Sequence, residues 1–278
     1  MSTENALLTI LIDKINNDTL VLPTMPATAL KIRKAADNPN SSLHQIVDVI
    51  AQDVSFSARM IKISNSVYMG RSVKVNSVAQ AVNRIGLTQI KNIATALAME
   101  QLFVSKNQII KTHMQQSWTD TVEVVAHSMA ALQLHTLNTK NSSLSENTLA
   151  LTALVHNIGV LPILSEADRH GDVFANASFL AVAIDKLTAP IGASIMVKWG
   201  FERDFITVAE HWKDMDVQSK ELSYLDFVRL GAALAGMFDE QKETIFASAI
   251  EKGIVSDIEL LRSKEFAEMC QNARQLFT

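Results

Sequence analysis

Two stretches of the sequence predict a run of short helices: residues 22–70, LPTMPATALKIRKAADNPNSSLHQIVDVIAQDVSFSARMIKISNSVYMG, and residues 75–99, VNSVAQAVNRIGLTQIKNIATALAM. Ser42 and Gln45 have the spacing of a capping box, in which two side chains satisfy backbone N–H groups at a helix start. Ser77 and Gln80 repeat this spacing, and apolar residues at helical intervals follow each pair. Gly86 then suits a helix end that needs a positive φ. Each helix has one apolar stripe, so it must pack against neighbours.

The composition argues against an all-β fold and suits packed helices. The chain has 278 residues, of which 48% are apolar, with nine glycines and five prolines. β-Sandwiches and barrels need more of these two residues for their turns. Cys270 is the only cysteine, which excludes an internal disulfide and a zinc site built on cysteines. The sequence therefore predicts an all-α protein, a multi-helix bundle.

Helical periodicity continues beyond the first hundred residues. A polar segment at 103–108 separates a predicted N-terminal helical bundle, residues 1–105, from a C-terminal helical half, residues 106–278. The C-terminal half begins with a long helix over about 109–137, and Ser145 starts the next helix. Later helices are predicted over about 173–187, 190–199, 202–213, 221–237 and 255–276.

The N-terminus does not resemble a signal peptide. It reads MSTENALLTILIDKIN, which lacks a basic start, and Asp13 and Lys14 interrupt its apolar stretch. No run of about 18 residues is both apolar and uncharged, as a membrane span would require. These features predict a cytoplasmic protein that has no membrane partner.

Charge is unevenly distributed along the chain. Residues 1–105 carry ten basic and seven acidic residues, and residues 106–278 carry fifteen and twenty-two. No acidic residue occurs between Asp53 and Glu100. The basic residues in that interval are Arg59, Lys62, Arg71, Lys74, Arg84 and Lys91. They indicate either a face for an acidic partner, nucleotide or nucleic acid, or an ordinary solvated surface, and so sparse a distribution favours the solvated surface.

Several short motifs occur in order through the first part of the chain. They are Leu22-Pro23, Met25-Pro26, Asp53, Asn65-Ser66 with Tyr68, and Ile85-Gly86-Leu87. In these motifs and their order, residues 20–215 resemble the HDOD domain, a bacterial signalling module related to the HD and HD-GYP metal-dependent phosphohydrolases. The sequence departs from the family at Val54, where proline is common. The same motifs also suit structural roles, as caps, turns and an extended approach to a helix.

The resemblance implies an HD-like helical fold and, in the catalytic relatives, one or two divalent metals held by histidines and aspartates. Such ligands let the metal lower the pKa of a bound water molecule. The corresponding positions hold Asp120, His156, Asn157, Thr188, His211, Trp212 and Ala232. Two histidines are kept, a carboxylate replaces the first expected histidine, and the expected aspartate of the His-Asp pair is the neutral Asn157. Most of the metal site implied by the resemblance is therefore absent.

Three functions remain open from the sequence. The favoured one is a non-catalytic regulatory module that binds signalling proteins in trans, needs no cofactor, and offers a groove between its halves to a small ligand. The second is a metal-dependent phosphohydrolase acting on a nucleotide or cyclic dinucleotide. It would use iron, manganese, zinc or nickel held by Asp120, His156 and His211. The third, a nucleotide or nucleic-acid binder that uses the basic residues between 59 and 91, is the least favoured.

His156 has an interpretation that needs no metal. It lies seven residues after Leu149, on the apolar side of the predicted helix. A histidine in that position suits a buried, hydrogen-bonded core residue, and we favour this interpretation.

Overall fold

The structure, a computed structural model, describes residues 4–38, 41–66, 73–139, 144–169 and 177–277. Within these ranges the regular structure is helical and no strand occurs. In chain order the helices are α1 (Glu4–Asn16), α2 (Ala27–Asp37), α3 (Leu43–Ala51), α4 (Val54–Ser64), α5 (Val78–Ile85), α6 (Leu87–Glu100), α7 (Gln108–Asn138), α8 (Glu146–Val155), α9 (Val160–Arg169), α10 (Ala177–Lys198), α11 (Arg203–His211), α12 (Tyr224–Leu234), α13 (Lys242–Glu251), a 3₁₀ turn (Ile258–Arg262) and α14 (Lys264–Arg274). The predicted all-α bundle is confirmed.

The helix starts predicted at two serines are confirmed. Ser42 and Gln45 form a complete capping box, with Gln45 N–H donating to Ser42 Oγ and Ser42 N–H donating to Gln45 Oε1 at 3.0 Å. Ser77 also caps its helix. The side chain of Gln80, which a capping box would place on Ser77 N–H, accepts from Asn76 N–H instead. Gly86 has φ +85° and ψ 156°, a conformation open essentially to glycine, and it joins α5 directly to α6.

Helix α7 is the axis of the C-terminal part. Its 31 residues extend over about 46 Å, and helices α8, α12 and α14 pack along it. Asn107 caps its start by accepting from two backbone N–H groups of the first turn. Five positions are predicted as its core face: Trp118 is only partly buried, whereas Val122, Val125, Met129 and Leu132 are buried.

Helix α10 runs unbroken through Pro190, whereas the sequence predicts two separate helices at 173–187 and 190–199. A proline inside a helix removes one backbone hydrogen bond and costs about 3 kcal/mol. Helices α9 and α11 pack against α10 and offset this cost. The turn before α9 approaches it closely, since a Cβ placed on Gly159 would lie 1.9 Å from the carbonyl oxygen of Thr188.

Helix α13 is not predicted by the sequence, which indicates no helix between 237 and 255. Its start has no side-chain cap, and three of its apolar side chains are buried: Ile245, Phe246 and Ala249. So short an apolar face gives a weak periodic signal. Packing against α12 stabilises the helix.

Helix α1 packs against α9 and α10, which lie in the C-terminal part of the chain. Lys14 forms an ion pair with Glu166, whose side chain is 2% exposed. Further along the chain, Trp199 Nε1 donates to the carbonyl oxygen of Pro23 at 3.0 Å. The N-terminal residues are thus tied to the C-terminal half, and the division at residue 105 stays a prediction.

The prediction that no segment is suited to span a membrane is wrong by length and composition, because Glu146–Arg169 and Leu180–Lys198 both have the length and apolar content of a span. The first comprises α8, a turn and α9, and 83% of its apolar window is buried inside the protein. The second lies within α10, and 44% of its apolar window is buried. The apolar character of the first segment is explained by its place in the core, because core helices are apolar on most sides.

Candidate functional site

His156 is the centre of the site inferred from the HD resemblance. It directly follows α8 and has no solvent-exposed surface. Its Nδ1 lies 2.5 Å from the carbonyl oxygen of Ala153. Because a carbonyl oxygen can only accept, Nδ1 carries the proton, and Nε2 is left with its lone pair. This Nε2 is buried and has no hydrogen-bond partner.

Burial lowers the pKa of His156 to about 4. Water can no longer stabilise the imidazolium, and the nearby positive charge of Lys213 opposes protonation further. The hydrogen bond to Ala153 acts in the opposite direction but is the smaller effect. His156 is therefore neutral at physiological pH.

The indole of Trp212 covers the imidazole of His156. Their ring centroids are 4.7 Å apart and their planes meet at 85°. Trp212 is 1% exposed, and Phe238 packs on it with centroids 5.8 Å apart. The Lys213 ammonium lies over the indole, 5.1 Å from the ring centroid. A second metal-binding histidine, expected here from the HD resemblance, is thus replaced by a bulky apolar side chain and a nearby cation.

Asp120 belongs to α7, and Asn157 packs against that helix. The side-chain amide of Asn157 donates to Ser117 Oγ at 3.3 Å, one helical turn before Asp120. Asp120 is half-buried and accepts from the side chain of Gln116 at 2.8 Å. Both candidate residues therefore have local hydrogen-bond partners.

His211 lies at the end of α11, nearer the surface. Its side chain is 28% exposed, with Nε2 at 3.5 Å from Glu210 and Nδ1 at 3.8 Å from Asp214. Of the two histidines kept from the expected metal site, His156 is completely buried and His211 is partly exposed beside two carboxylates.

Two further candidate positions, Thr188 and Ala232, are completely buried. The Thr188 hydroxyl donates to the carbonyl oxygen of Ile184 within α10, at 2.6 Å. Ala232 has no ligating atom. Across the described part of the chain, no three residues among His, Cys, Asp and Glu come close enough to share a metal ion.

Arg229 is a residue that the sequence reasoning missed. It is 5% exposed and donates to the carbonyl oxygens of His211 and Val217, both at 2.8 Å, and to that of Asp214. Burial lowers its pKa. By holding three carbonyl oxygens it fixes the chain after α11, which includes Trp212. An arginine in the otherwise apolar run FVRLGAALAG is a signal for such a buried cation with polar partners.

The basic residues of the N-terminal part are partly used within the protein. Arg59 pairs with Glu100, and Arg84 donates to the carbonyl oxygens of Ser64 and Val73. Lys62 and Lys74 are exposed, Lys91 is half-buried, and Arg71 lies outside the described residues. Nucleotide or nucleic-acid binding by this set stays a prediction.

The motif residues that suggested a family have structural roles here. Asp53 caps α4 by accepting from Phe56 N–H at 2.9 Å. Asn65 ends α4, and its side-chain amide donates to Val75 O at 2.8 Å and accepts from Val75 N–H at 2.9 Å. Tyr68 lies outside the described residues. These contacts of Asn65 join the end of α4 to Val75, just before the start of α5.

The family model of the HDOD domain matches residues 22–215. This chain belongs to the HDOD family. The match covers α2 through α11 together with the segment that follows His211, so it includes both the motif residues and the site around His156. Residues 1–21 and 216–278 of the HDOD protein lie outside the matched region.

Solved structures of similar proteins have the same fold. A protein from Shewanella amazonensis SB2B, provisionally named a metal-dependent phosphohydrolase, is 36% identical over the whole of both chains, with a TM-score of 0.93. A provisionally named signal transduction protein from Marinobacter aquaeolei VT8 is 19% identical, with a TM-score of 0.64 over 99% of this chain and 65% of that chain. An HDOD domain protein of unknown function from Geobacter sulfurreducens is 16% identical, with a TM-score of 0.58 over 98% and 99%. The last two similarities concern the fold alone.

Among curated proteins, an uncharacterised protein from Treponema pallidum (strain Nichols) is 28% identical over 97 residues. The matched segment is 35% of the HDOD protein and 19% of that relative. The comparison therefore covers a small part of the longer chain.

Proposed function

We propose that this HDOD protein is a non-catalytic regulatory module of bacterial signal transduction. It acts in trans in the cytoplasm, through contacts with other signalling proteins. Membership of the HDOD family supports the regulatory role, since the family is one of signalling modules. The name of the Marinobacter protein, which shares the fold, points in the same direction.

The observation that carries the proposal is the packing of Trp212 on His156. A metal at this histidine would use the lone pair of Nε2, which is buried beside the indole. The approaching cation would also meet the positive charge of Lys213, which lies over the same ring. Trp212 thus packs an apolar group against the imidazole that would have to bind the metal.

The remaining donors do not fit a divalent metal. Asn157 supplies a neutral amide that is engaged with Ser117, and Asp120 is engaged with Gln116. A tight site needs several ligands that are oriented together by a surrounding shell of hydrogen bonds. Asn157 and Asp120 instead belong to separate hydrogen-bond pairs. The C-terminal half therefore has a structural role and no catalytic one.

The test combines metal content with activity. The full chain is purified without chelator or added metal, its metal content is measured by elemental analysis, and hydrolysis of a synthetic phosphodiester is assayed with Mn²⁺, Fe²⁺, Zn²⁺ and Ni²⁺. We expect far less than one metal per chain and no hydrolysis above that of His156→Ala. A near-stoichiometric metal together with saturable hydrolysis would overturn the proposal.

A metal-dependent phosphohydrolase is the second candidate function. It is favoured by the Shewanella protein, whose provisional name is of that class and which is 36% identical over its full length. Asp120, His156 and His211 would be the ligands. Under this alternative, His156→Ala loses metal and activity together, whereas a variant of the exposed His44 keeps both.

A further inference from the structure

A groove lies between the chain segment that follows α1 and the outer sides of α10 and α11. Its volume is about 630 Å³, and polar and apolar atoms line it about equally. The apolar wall residues are Leu20, Leu22, Ala193, Val197 and Ile206. Neither the His156 site nor the basic residues of the N-terminal part line it.

The apolar walls of the groove remain in contact with solvent. Val197 on α10 is 62% exposed, and Pro190, seven residues earlier on the same helix, is also exposed. The apolar window of α10 is 44% buried, against 83% for the window formed by α8 and α9. Exposed apolar side chains such as Val197 and Pro190 beside a groove offer surface that a bound partner can bury.

The two ends of the groove carry opposite charges. Asp18 shares a smaller adjoining cavity with Pro190, which places its carboxylate at that end of α10. A Cβ on Gly192 would touch Ala209, so Glu210 lies at the same end. Lys198 lies eight residues beyond Pro190, which is about 12 Å along the helix. The groove therefore has the carboxylates of Asp18 and Glu210 at one end, Ala193, Ser194 and Val197 in the middle, and Lys198 at the other end. Lys14 also lies at the acidic end, where it is paired with Glu166.

The wall that carries Asp18 is held in place. Lys14, one turn before it, is tied to the buried Glu166 on α9. Backbone N–H groups of Thr19 and Leu20 both donate to the carbonyl oxygen of Lys14, at 2.8 and 3.1 Å. A wall fixed in this way loses little conformational freedom when it binds a partner.

We propose that this groove binds a short segment of a partner protein, in which apolar side chains are flanked by a basic residue at one end and an acidic residue at the other. The basic residue pairs with Asp18 and Glu210, and the acidic residue pairs with Lys198. The proposal rests on the proposed function, because it supplies the surface through which the module contacts other proteins.

The openness of the groove favours a polypeptide over a small molecule. Small-molecule sites enclose most of the surface of their ligand. A peptide can bury one side in an open groove while its other side stays in water. The separated charges further select for a chain that can place opposite charges about 12 Å apart, and they fix its direction.

The experiment uses the full chain and a panel of synthetic peptides. Each peptide carries Lys at one end, Glu at the other, and about four to eight apolar residues between them, a range that spans 12 Å in helical or extended form. Each is paired with an isomer of the same composition in which both charges lie at one end. Dissociation constants are measured by fluorescence anisotropy of labelled peptides at low and high salt. We expect one length to bind at least about tenfold more tightly than its isomer, and less tightly in high salt.

Variants then locate the binding site. Val197→Asp should weaken binding by at least about tenfold, because it places a charge in the apolar middle. The double change Asp18→Asn and Glu210→Gln should weaken it by about fivefold and reduce its salt dependence. Asn is chosen at Asp18 because this residue has φ +53°, which Asn tolerates. The matched control is Val104→Asp, at a 70% exposed valine in the turn after α6, and it should bind like the wild type.

Three results would overturn the groove assignment. The first is that no peptide binds better than its isomer, and the second is that Val197→Asp and the control bind the peptide equally. The third is self-association of the chain that Val197→Asp abolishes, because the occupant of the groove would then be a second copy of the chain. Metal-dependent hydrolysis by the same protein samples would instead overturn the proposed function. The two failures are therefore distinguishable.

Discussion

The indole of Trp212 meets the imidazole of His156 edge to face, at a centroid distance of 4.7 Å. An aromatic neighbour in this geometry contributes packing energy and excludes water. One nitrogen of each ring, His156 Nε2 and Trp212 Nε1, is buried without a hydrogen-bond partner. Packing of the two rings stabilises the fold and opposes the cost of these two unpaired groups, and burial keeps the histidine neutral.

Removing Trp212 should cost stability through the cavity that it leaves. We expect Trp212→Ala to lower the free energy of unfolding by about 3–5 kcal/mol, because the side chain is almost completely buried. Urea unfolding of the wild type and the variant measures this difference. Trp199→Ala is the comparison, since Trp199 is half-buried, and an equal loss in the two variants would contradict a special role of Trp212.

Stability should decrease in mild acid because of His156. The unfolded chain binds a proton with a pKa near 6.5, whereas the folded protein holds the pKa of His156 at about 4. The unfolded state therefore gains protons first, so stability is full above pH 6.5 and falls as the pH drops towards 4. Between pH 7 and pH 5 the loss due to this group is about 2 kcal/mol.

The measurement for this prediction is urea unfolding at pH 7 and pH 5. His156→Gln, which does not titrate, should lose about 2 kcal/mol less than the wild type between the two pH values. His127, whose pKa burial also lowers, remains in both proteins and cancels in the comparison. His44→Gln, at an exposed histidine, should behave like the wild type. If His156→Gln loses as much stability between pH 7 and pH 5 as the wild type does, His156 is not the group responsible.

Gly159 is required by a close contact between backbones. A Cβ here would lie 1.9 Å from the carbonyl oxygen of Thr188 and 2.6 Å from the Gly192 nitrogen. Since both atoms belong to the backbone of α10, relief requires a shift of the helix. We expect Gly159→Ala to lower the melting temperature strongly, with a cost above about 3 kcal/mol. Gly236→Ala, at φ +80° in open space, should cost about 1 kcal/mol, and the prediction fails if the two variants are equally stable.

The side-chain amide of Asn65 should contribute to the stability of the fold. It donates to the carbonyl oxygen of Val75 and accepts from the N–H of the same residue. Asn65→Asp keeps the acceptor but turns a carboxylate towards a carbonyl oxygen, so we expect a loss of about 1–2 kcal/mol. Hydrogen exchange should show weaker protection of the Val75 amide. Unchanged protection in the aspartate variant would mean that the reciprocal pair contributes little.

Proline at position 54 should stabilise the protein. Val54 is the first residue of α4 and is 83% exposed, and Asp53 before it has φ −117° and ψ 109°, which a following proline accepts. Val54→Pro restricts the unfolded chain and should add about 0.4–1 kcal/mol. Thermal unfolding of this variant beside Val54→Ala measures the gain, and a loss of stability relative to Val54→Ala would be evidence against this explanation.

Local signals were sufficient for much of the fold. The capping box at Ser42, the positive φ of Gly86 and the buried stripe of α7 depend on residues within a few positions of one another, so periodicity and capping rules predict them. The burial of His156 also agrees with its place on the apolar side of its helix. The absence of charge at Asn157 can likewise be read directly from the sequence.

Long-range contacts decided the rest. The continuity of α10 through Pro190 depends on the helices that pack against it, and α13 forms by packing on α12 despite a weak pattern of its own. The packing of Trp212 on His156 joins two residues 56 positions apart in the sequence. The groove brings the end of α1 against α10 and α11, across more than 160 residues. Helical patterns in a sequence reflect interactions within one or two turns, whereas a site is formed by surfaces that meet only when the helices pack. The sequence alone therefore determined most of the helices, and the tertiary structure decided which side chains and grooves lie between them.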